Sequence, residues 1–414
     1  MRPRFVAFVA LLFASAARVP AAGQELPAIT DVPALRTDNF VLVPSGLFSG
    51  GHDSNIHREG PPNGPIGSVE TFGVVGLQSF GQLSSLVIRT MSGAELVSFK
   101  DHPGEGGLSW ANRAIVHLDR PRFRPKGNVR YSDTYARPTG FEIGERSRHQ
   151  EFAYGGGMDV RLNPRATIGG DVNHLSLNYD ADAVYDGSNL YQTLSLELTV
   201  EAAEFRYEMS PLTTMSLRLS ADQTRFRLDH TRDTDAGVAT VGFTMARPAM
   251  IAGSGQVGLR WFKSLQGNAD TFVGLIGSGN FAYTRPSGLI VIGRFDRDTQ
   301  FSYDTALAYY VFTDLGTTVA FKPGGWNLGA GASHQWLDYR YAGTAAGAGR
   351  VDHRTAVGAV VAHRVGRGME LGVNADYITK TGKLAFNATR AMVYWSLGSA
   401  FLMRFDRPLP GEMP

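Results

Sequence analysis

Residues Met369 to Tyr377 read MELGVNADY, and this short stretch decides the fold class. Side chains of an extended strand point alternately to its two faces. One face therefore collects apolar side chains and the other collects polar or small ones: Met369, Leu371, Val373, Ala375 and Tyr377 against Glu370, Gly372, Asn374 and Asp376. The return segment up to Phe405 repeats this alternation, which predicts a β-hairpin with one apolar face.

The N-terminus indicates what that apolar face meets. After Arg2 and Arg4 the chain runs through the apolar segment 5–17 and reaches small residues at 20–23. This order is typical of a secretory signal peptide, which we expect to span residues 1–23. No later stretch contains eighteen consecutive apolar residues, so the sequence excludes a helical membrane protein.

Composition narrows the class of exported protein. The chain has 414 residues, 43% of them hydrophobic, with 49 glycines and no cysteine. Secreted soluble proteins of this size often carry disulfides, which this chain cannot form. Removing the signal peptide removes Arg2, Arg4 and Arg18 and changes the formal net charge from +2 to −1. A nucleic acid is therefore not expected as a partner.

Short and long breaks alternate along the chain. The short ones have the proline and glycine chemistry of tight turns, and the long ones are polar. Tight turns on one side and longer loops on the other are typical of an outer-membrane barrel. The turns are expected at 80–82, 119–121, 163–165, 210–212, 247–248, 285–288 and 365–368, and the loops at 51–66, 101–107, 138–147, 180–189, 229–235, 263–270, 296–304, 342–352 and 379–387.

Nine long loops predict an all-β fold, a single transmembrane antiparallel up-and-down barrel of about 18 strands. The range is 16 to 20, because both 314–316 and 322–325 have turn chemistry. We expect a periplasmic leader at 24–38, the barrel at 39–405 and a short tail at 406–414. The apolar alternation changes phase near Ala203 and near Arg225, which indicates either bulges or the end of the lipid-facing band.

Aromatic residues concentrate near expected strand ends, as interfacial girdles would place them. Ordinary β propensity is the alternative explanation. The aromatic residues concerned include Phe205, Tyr207, Phe281, Tyr283, Tyr309, Tyr310, Phe312 and Tyr339.

The segment 152–304 resembles the β-barrel porin 2 family. The resemblance rests on RLNPR at 161–165, EMSPL at 208–212, VGLR at 257–260 and RDTQFSY at 297–303. The stretch GHDSNI at 51–56 is similar to the start of barrels of that family encoded with exopolysaccharide systems. The resemblance implies an outer-membrane channel or assembly component and, more finely, a role in exopolysaccharide secretion.

The residues themselves predict a channel, because a barrel of this size leaves an aqueous interior unless loops plug it. Small hydrophilic solutes or a polysaccharide are then the expected cargo. Opposed charges in the lumen would give a transverse field, and a structural network that stiffens the wall is the alternative. The lumen-facing candidates are Glu197, Glu201, Arg218, Asp222, Arg260, Arg294, Glu370, Asn374 and Asp376.

The final strand resembles the C-terminal signal that the barrel-assembly machinery reads. That machinery and outer-membrane lipid are therefore expected partners, although nine residues follow the terminal aromatic Phe405. The residues of this signal are Ser396, Gly398, Phe401, Met403 and Phe405.

Other chemistry has weaker support in the sequence. The GxGxxG string at 253–258 lies within a two-faced strand and does not open a helix, so nucleotide binding is not expected. No complete metal-ligand set and no GxSxG motif occur, and we predict no metal, no cofactor and no enzymatic activity. An outer-membrane enzyme acting on lipid or glycan, a plugged structural barrel and a soluble β-protein remain as alternatives.

Overall fold

A computed structural model describes residues 34–37, 39–58, 64–136, 142, 147–246, 250–266, 271–304, 307–341, 350–383 and 385–398. The predicted signal peptide, the C-terminal tail and three assembly-signal residues, Phe401, Met403 and Phe405, lie outside this part of the chain. Of the predicted leader, Leu35 and Arg36 form a short strand that pairs with Leu42 and Val41. The predicted domain boundaries stay predictions.

Eighteen long strands make up nearly all of the described structure. Each strand pairs antiparallel with the next along the chain. The strands are β1 Phe40–Asp53, β2 Ser68–Leu83, β3 Leu86–Phe99, β4 Gly107–Leu118, β5 Phe123–Ala136, β6 Ser147–Arg161, β7 Ala166–Tyr179, β8 Leu196–Ser210, β9 Thr213–Phe226, β10 Thr234–Met245, β11 Ile251–Ser264, β12 Phe272–Thr284, β13 Leu289–Phe301, β14 Leu307–Phe321, β15 Trp326–Tyr341, β16 Val351–Gly366, β17 Met369–Thr381 and β18 Phe386–Leu397.

The sheet closes on itself. Strand β1 pairs with β18 from Gly46↔Leu397 to Asp53↔Arg390. The fold is therefore the predicted up-and-down antiparallel barrel, with the predicted strand number. Helical structure in the described chain is limited to a short helix, Leu190–Leu194, and two 3-10 turns, Pro103–Glu105 and His230–Arg232. None of the described helices is long and apolar enough to cross a membrane.

Tight turns lie at one end of the barrel and longer loops at the other, as predicted. Three expected breaks differ most from the structure, and others differ by one to three residues. Residues 80–82 lie inside β2, and the chain turns at 84–85, where Ser84 takes a positive φ of 56°. Residues 314–316 lie inside β14, and the true turn is 322–325, where Gly324 and Gly325 both have positive φ. Residues 296–301, expected in a loop, belong to β13.

The outward face carries an apolar belt. In β9, Met215, Leu217 and Leu219 are exposed, whereas the alternating residues Ser216 and Arg218 point inward and are partly covered. Strand β17 has the predicted faces, with Leu371, Val373 and Tyr377 exposed on the outside. A closed antiparallel sheet with such a belt satisfies nearly all of its ladder hydrogen bonds internally, as hydrocarbon requires. The protein is an outer-membrane β-barrel protein.

The change of phase near Ala203 and Arg225 marks the end of the belt. Strands β8 and β9 pair without interruption from Leu196↔Phe226 to Glu208↔Thr214, so no bulge lies at either site. The apolar side chains at the top of β8 therefore point into the barrel. Strands extend past the hydrocarbon, where the outside is aqueous and folded loops fill the inside.

The aromatic girdle was only partly as expected. Phe205 and Tyr207 lie on the outward face and are partly exposed. By contrast, Tyr309, Tyr310 and Tyr339 are almost fully buried in clusters above the lumen. Their aromatic rings thus belong to the packing of the outer mouth.

The belt predicts a position-dependent cost for a charge on the outward face. Changing Leu217→Arg should lower the free energy of unfolding by about 2–4 kcal/mol, because the guanidinium would lie in hydrocarbon. The matched control is Gln223→Arg, on the same face of β9 but above the belt, with an expected cost of about 0–1 kcal/mol. Denaturant unfolding in phospholipid vesicles measures both, and equal costs would contradict the assigned belt.

Candidate functional site

Seven of the nine predicted lumen residues lie on the inward face of their strands. In each strand they alternate with exposed outward residues, and the cross-strand partners agree with this orientation. They are Arg218, Asp222, Arg260, Arg294, Glu370, Asn374 and Asp376.

The assignment of Glu197 and Glu201 to the lumen was wrong. Both share the outward face of β8 with Phe205, and Glu201 stands opposite the outward Ala221. Glu197 forms an ion pair of 3.2 Å with Arg227 on the outside of the barrel. The reason is the reversed polarity above the belt, where inward Leu196 is buried and the outward residues meet water.

The structure brings several inward charges together as ion pairs. Arg218 lies 3.1 Å from Asp171. Arg260 bridges Asp222 at 3.1 Å and Asp298 at 2.8 Å. These contacts cross strands β7 to β13, so much of the inner wall is cross-linked by charge-assisted hydrogen bonds.

Two charged stretches of the inner wall were missed by the sequence analysis. The inward face of β3–β5 carries mostly cations, and that of β13–β14 carries mostly carboxylates. The like-charged pairs Arg113↔Arg130 and Asp296↔Asp314 stand directly opposite each other on neighbouring strands. The charged inward residues are Arg89, Glu95, Arg113, Arg124, Lys126 and Arg130 on β3–β5, and Arg294, Asp296, Asp298 and Asp314 on β13–β14.

These two stretches face each other across the lumen. Strands β4 and β13 are nine positions apart in a ring of eighteen, which is half the circumference. Strands about 4.8 Å apart and tilted by about 40° give such a ring a backbone diameter on the order of 35 Å. The lumen thus has a cationic side and an acidic side.

Outer loops meet above the lumen and form a lid. Lys383, between β17 and β18, donates to Asp304 at 3.1 Å and lies 2.7 Å from Asp186. The Tyr303 hydroxyl also donates to Asp186 at 3.0 Å. The loops that carry Asp186 and Lys383 start from nearly opposite sides of the barrel. Although burial raises the pKa of Asp186, hydrogen bonds from Lys383 and Tyr303 lower it more, so the carboxylate stays charged.

Glu142 ties a third loop to the lid from beneath. Its carboxylate accepts hydrogen bonds from Ser302 Oγ at 2.7 Å and from the Tyr303 amide at 3.0 Å. Its backbone carbonyl accepts from Lys380 Nζ at 3.0 Å. Burial raises the pKa of Glu142 above its usual range, and these hydrogen bonds offset the rise only in part.

Arg232 joins two of the loops through backbone carbonyls. It donates to the carbonyl of Thr193 at 2.7 Å, to that of Ala308 at 3.2 Å and to that of Ser302, and its guanidinium stacks on Phe226. Burial lowers the pKa of Arg232 to about 10, so it remains charged near neutral pH.

The lid also has an apolar core. Leu190 and Leu194 of the short helix pack with Tyr185 and Tyr303, and all four side chains are buried. Asn189 caps this helix by accepting a hydrogen bond from the Gln192 amide. Because apolar packing supports the ion pairs, the lid narrows the mouth as an ordered structure.

Comparisons with known proteins give likenesses of fold. No protein-family profile and no curated protein matches the chain. The outer-membrane protein OpdK of Pseudomonas aeruginosa is similar over 86% of this chain and 98% of its own, with 11% identity and a TM-score of 0.45. OpdO of the same organism is similar over 89% of this chain and 98% of its own, with 12% identity and a TM-score of 0.48. OccK2 (OpdF) of Pseudomonas aeruginosa, solved in complex with glucuronate, is similar over 86% of this chain and 98% of its own, with 9% identity and a TM-score of 0.47.

The resemblance to the β-barrel porin 2 family therefore stays a prediction, and the function proposed below rests on the chain's own geometry.

The lid contacts predict that Lys383→Ala loosens the loop that carries Asp186. Two partly exposed ion pairs are lost, each worth about 0.2–1 kcal/mol, so amides of 184–194 should exchange several-fold faster. Hydrogen–deuterium exchange of the vesicle-reconstituted protein measures this. Arg340→Ala is the control, because Arg340 pairs with Asp338 of its own strand. Equal exchange in the two variants would contradict the role of Lys383.

Proposed function

We propose that the protein is a gated outer-membrane channel for small hydrophilic solutes. The observation that carries this proposal is the separation of charge across the lumen, between β3–β5 and β13–β14. Several of these charges pair with neighbours, as Arg130 does with Glu151 and Arg294 with Asp314. Cations nevertheless predominate on one side of the lumen and carboxylates on the opposite side, which pairing within a wall does not require. A transverse field of this kind orients and selects dipolar or charged solutes as they pass.

The lid supports a gate at the outer mouth. Its contacts join loops from opposite sides of the barrel, so solutes must pass between loops or wait for them to separate. Each ion pair at the mouth is weak on its own, so the loops that they join can separate. The plugged barrel of the alternative prediction is then the closed state of the same channel.

An exopolysaccharide as cargo is the finer proposal. Its support is the similarity of residues 51–56 to the start of barrels encoded with exopolysaccharide systems, within the family that segment 152–304 resembles. A flexible glycan chain carrying carboxylates would fit a lumen with one cationic side. The proposal of small solutes as cargo does not depend on this resemblance, and it remains the primary proposal.

The described residues at the rim give no support to an enzyme. His149 is the buried imidazole there, and an enzyme of the predicted type needs a serine hydroxyl beside it. Its Nε2 instead contacts the Thr134 hydroxyl at 3.0 Å, and its Nδ1 contacts the backbone carbonyl of Ser147 at 3.1 Å. Both ring nitrogens are engaged.

The transverse field predicts the effect of a charge reversal. Arg113→Glu should raise cation over anion permeability roughly fivefold, which corresponds to about 1 kcal/mol of electrostatic energy for an ion in the lumen. Reversal potentials of purified protein in planar bilayers under a KCl gradient measure this ratio. The control is Lys263→Glu, the same charge change on the exposed outward face of β11. Folded protein without conductance, or equal shifts in both variants, would refute the channel.

Glu142 predicts a pH dependence of the gate. In the closed lid its pKa is raised, and in an open lid it would return to its usual value. The closed state therefore binds the proton more tightly, so lowering the pH through the raised pKa should favour closure, and raising it should favour opening. Glu142→Gln should remove this dependence. Single-channel open probability between pH 7 and pH 5 tests the sign.

A further inference from the structure

Strands β12 and β13 share one of the shortest pairings of the barrel wall, with eight residue pairs, as many as β1–β18 and β4–β5. Their pairing runs from Thr284↔Ile290 up to Gly277↔Arg297 and includes no further described residue. Strand β12 continues upward to Phe272, paired with β11, and β13 continues to Phe301, paired with β14. We call the space between Phe272–Ile276 and Asp298–Phe301 the wedge.

The wedge arises because the top of the β13–β14 hairpin bends into the lumen. By strand alternation Phe301 and Tyr309 belong to the outward face, together with Phe295 and Leu315. Yet the Phe301 ring lies 4.9 Å from that of inward Phe226. The Tyr309 ring lies 4.9 Å from that of inward Phe262. The outer surface of the hairpin thus packs on the inner surface of the wall.

Side chains, and not a backbone ladder, bridge the wedge. On the inside, Arg260 of β11 passes Gly274 of β12 and reaches Asp298 of β13 at 2.8 Å. On the outside, Arg297 donates from Nε to the Leu275 carbonyl at 3.1 Å and from Nη1 to the Thr313 hydroxyl at 2.5 Å. Side-chain bridges can open without unzipping the barrel, because they interrupt no ladder.

The outer surface around the wedge suits an amphiphile. Val273 is 69% exposed, more than any other apolar residue of the described barrel strands, and Leu275 is 61% exposed. A groove of about 800 Å³ runs below them on the lipid face, lined mainly by apolar side chains and glycines, with polar residues such as Thr317, His334 and Thr355 on one side. Its lining includes Phe243, Val257, Gly255, Gly279, Phe281, Gly293, Phe295 and Leu315.

Positive charge lies next to this groove, since Arg297 is one outward position beyond Phe295 of its lining. Arg297 bonds to a carbonyl and a hydroxyl, and among the described residues no carboxylate lies within ion-pair distance of it. Lys263 is exposed on the same outer surface, one outward position above Trp261. An acyl chain in the groove would place an anionic head group beside Arg297.

We propose that the wedge between β12 and β13 is a side entrance through which a long-chain amphiphile with an anionic head group reaches the barrel interior from the outer leaflet. The groove takes the acyl chain and Arg297 takes the head group in place of the Leu275 carbonyl. This route is independent of the mouth and of the solute channel proposed above.

The absence of cysteine from the chain gives a clean test. Ile276→Cys places a thiol on the buried inward face beside the wedge, and Val238→Cys places one on the buried inward face of β10, which is paired on both sides. N-dodecylmaleimide dissolved in the vesicle lipid should label Cys at 276 about tenfold faster than Cys at 238, since only the former lies beside an unpaired edge. Equal rates would overturn the proposal.

Competition tests the head group. Dodecanoate should slow labelling at 276 more than dodecanol does, and Arg297→Ala should remove the difference, because a lost charge-assisted hydrogen bond is worth about a tenfold change in binding. Arg148→Ala, on the outward face of β6, should leave the difference between dodecanoate and dodecanol unchanged. Heat-modifiable gel migration shows that each variant is folded. Equal competition by the two amphiphiles in the unmodified protein, or a loss in Arg148→Ala as large as in Arg297→Ala, would also overturn the proposal.

Discussion

Hydrocarbon offers no hydrogen-bond partner to a peptide group, and this constraint governs the whole molecule. A sheet in the bilayer must pair every strand on both edges, so the last strand has to return to the first. Here the pairing of β1 with β18 achieves that closure. Once the backbone is satisfied, the side chains are free to differ completely between the two faces, and the lumen can hold charges that the outside could not.

The same constraint explains how much of the fold was predictable. Alternation reports which side chains share a face, and loop lengths report where strands turn, so the barrel and its strand number followed from the sequence. Alternation does not report which medium a face meets. Glu197 and Glu201 were misplaced for that reason, because the apolar face of β8 turns inward once the strand leaves the belt. Above the belt the apolar side chains change from the outward to the inward face, although the strand keeps its register.

The lid and the charge separation lay beyond the reach of local patterns. Glu142 and Ser302 are 160 positions apart in the chain, and nothing near either residue indicates the other. Arg113 and Asp296 sit in ordinary alternating strands, and their opposition appears only when the ring is closed and its members are counted around it. Ion pairs among Arg218, Asp171 and their neighbours, by contrast, follow from register once the strands are known.

Lys383 stands on one of the shortest outer connections, residues 382–385, whereas its partner Asp186 belongs to a long loop with its own helix. The short connection holds the lysine in place, and the longer loop has more freedom to move. Ions in the surrounding water screen such exposed pairs, over a distance that shortens as salt rises. For a gate of the kind proposed, the salinity outside the cell would then shift the balance between the closed and open lid directly.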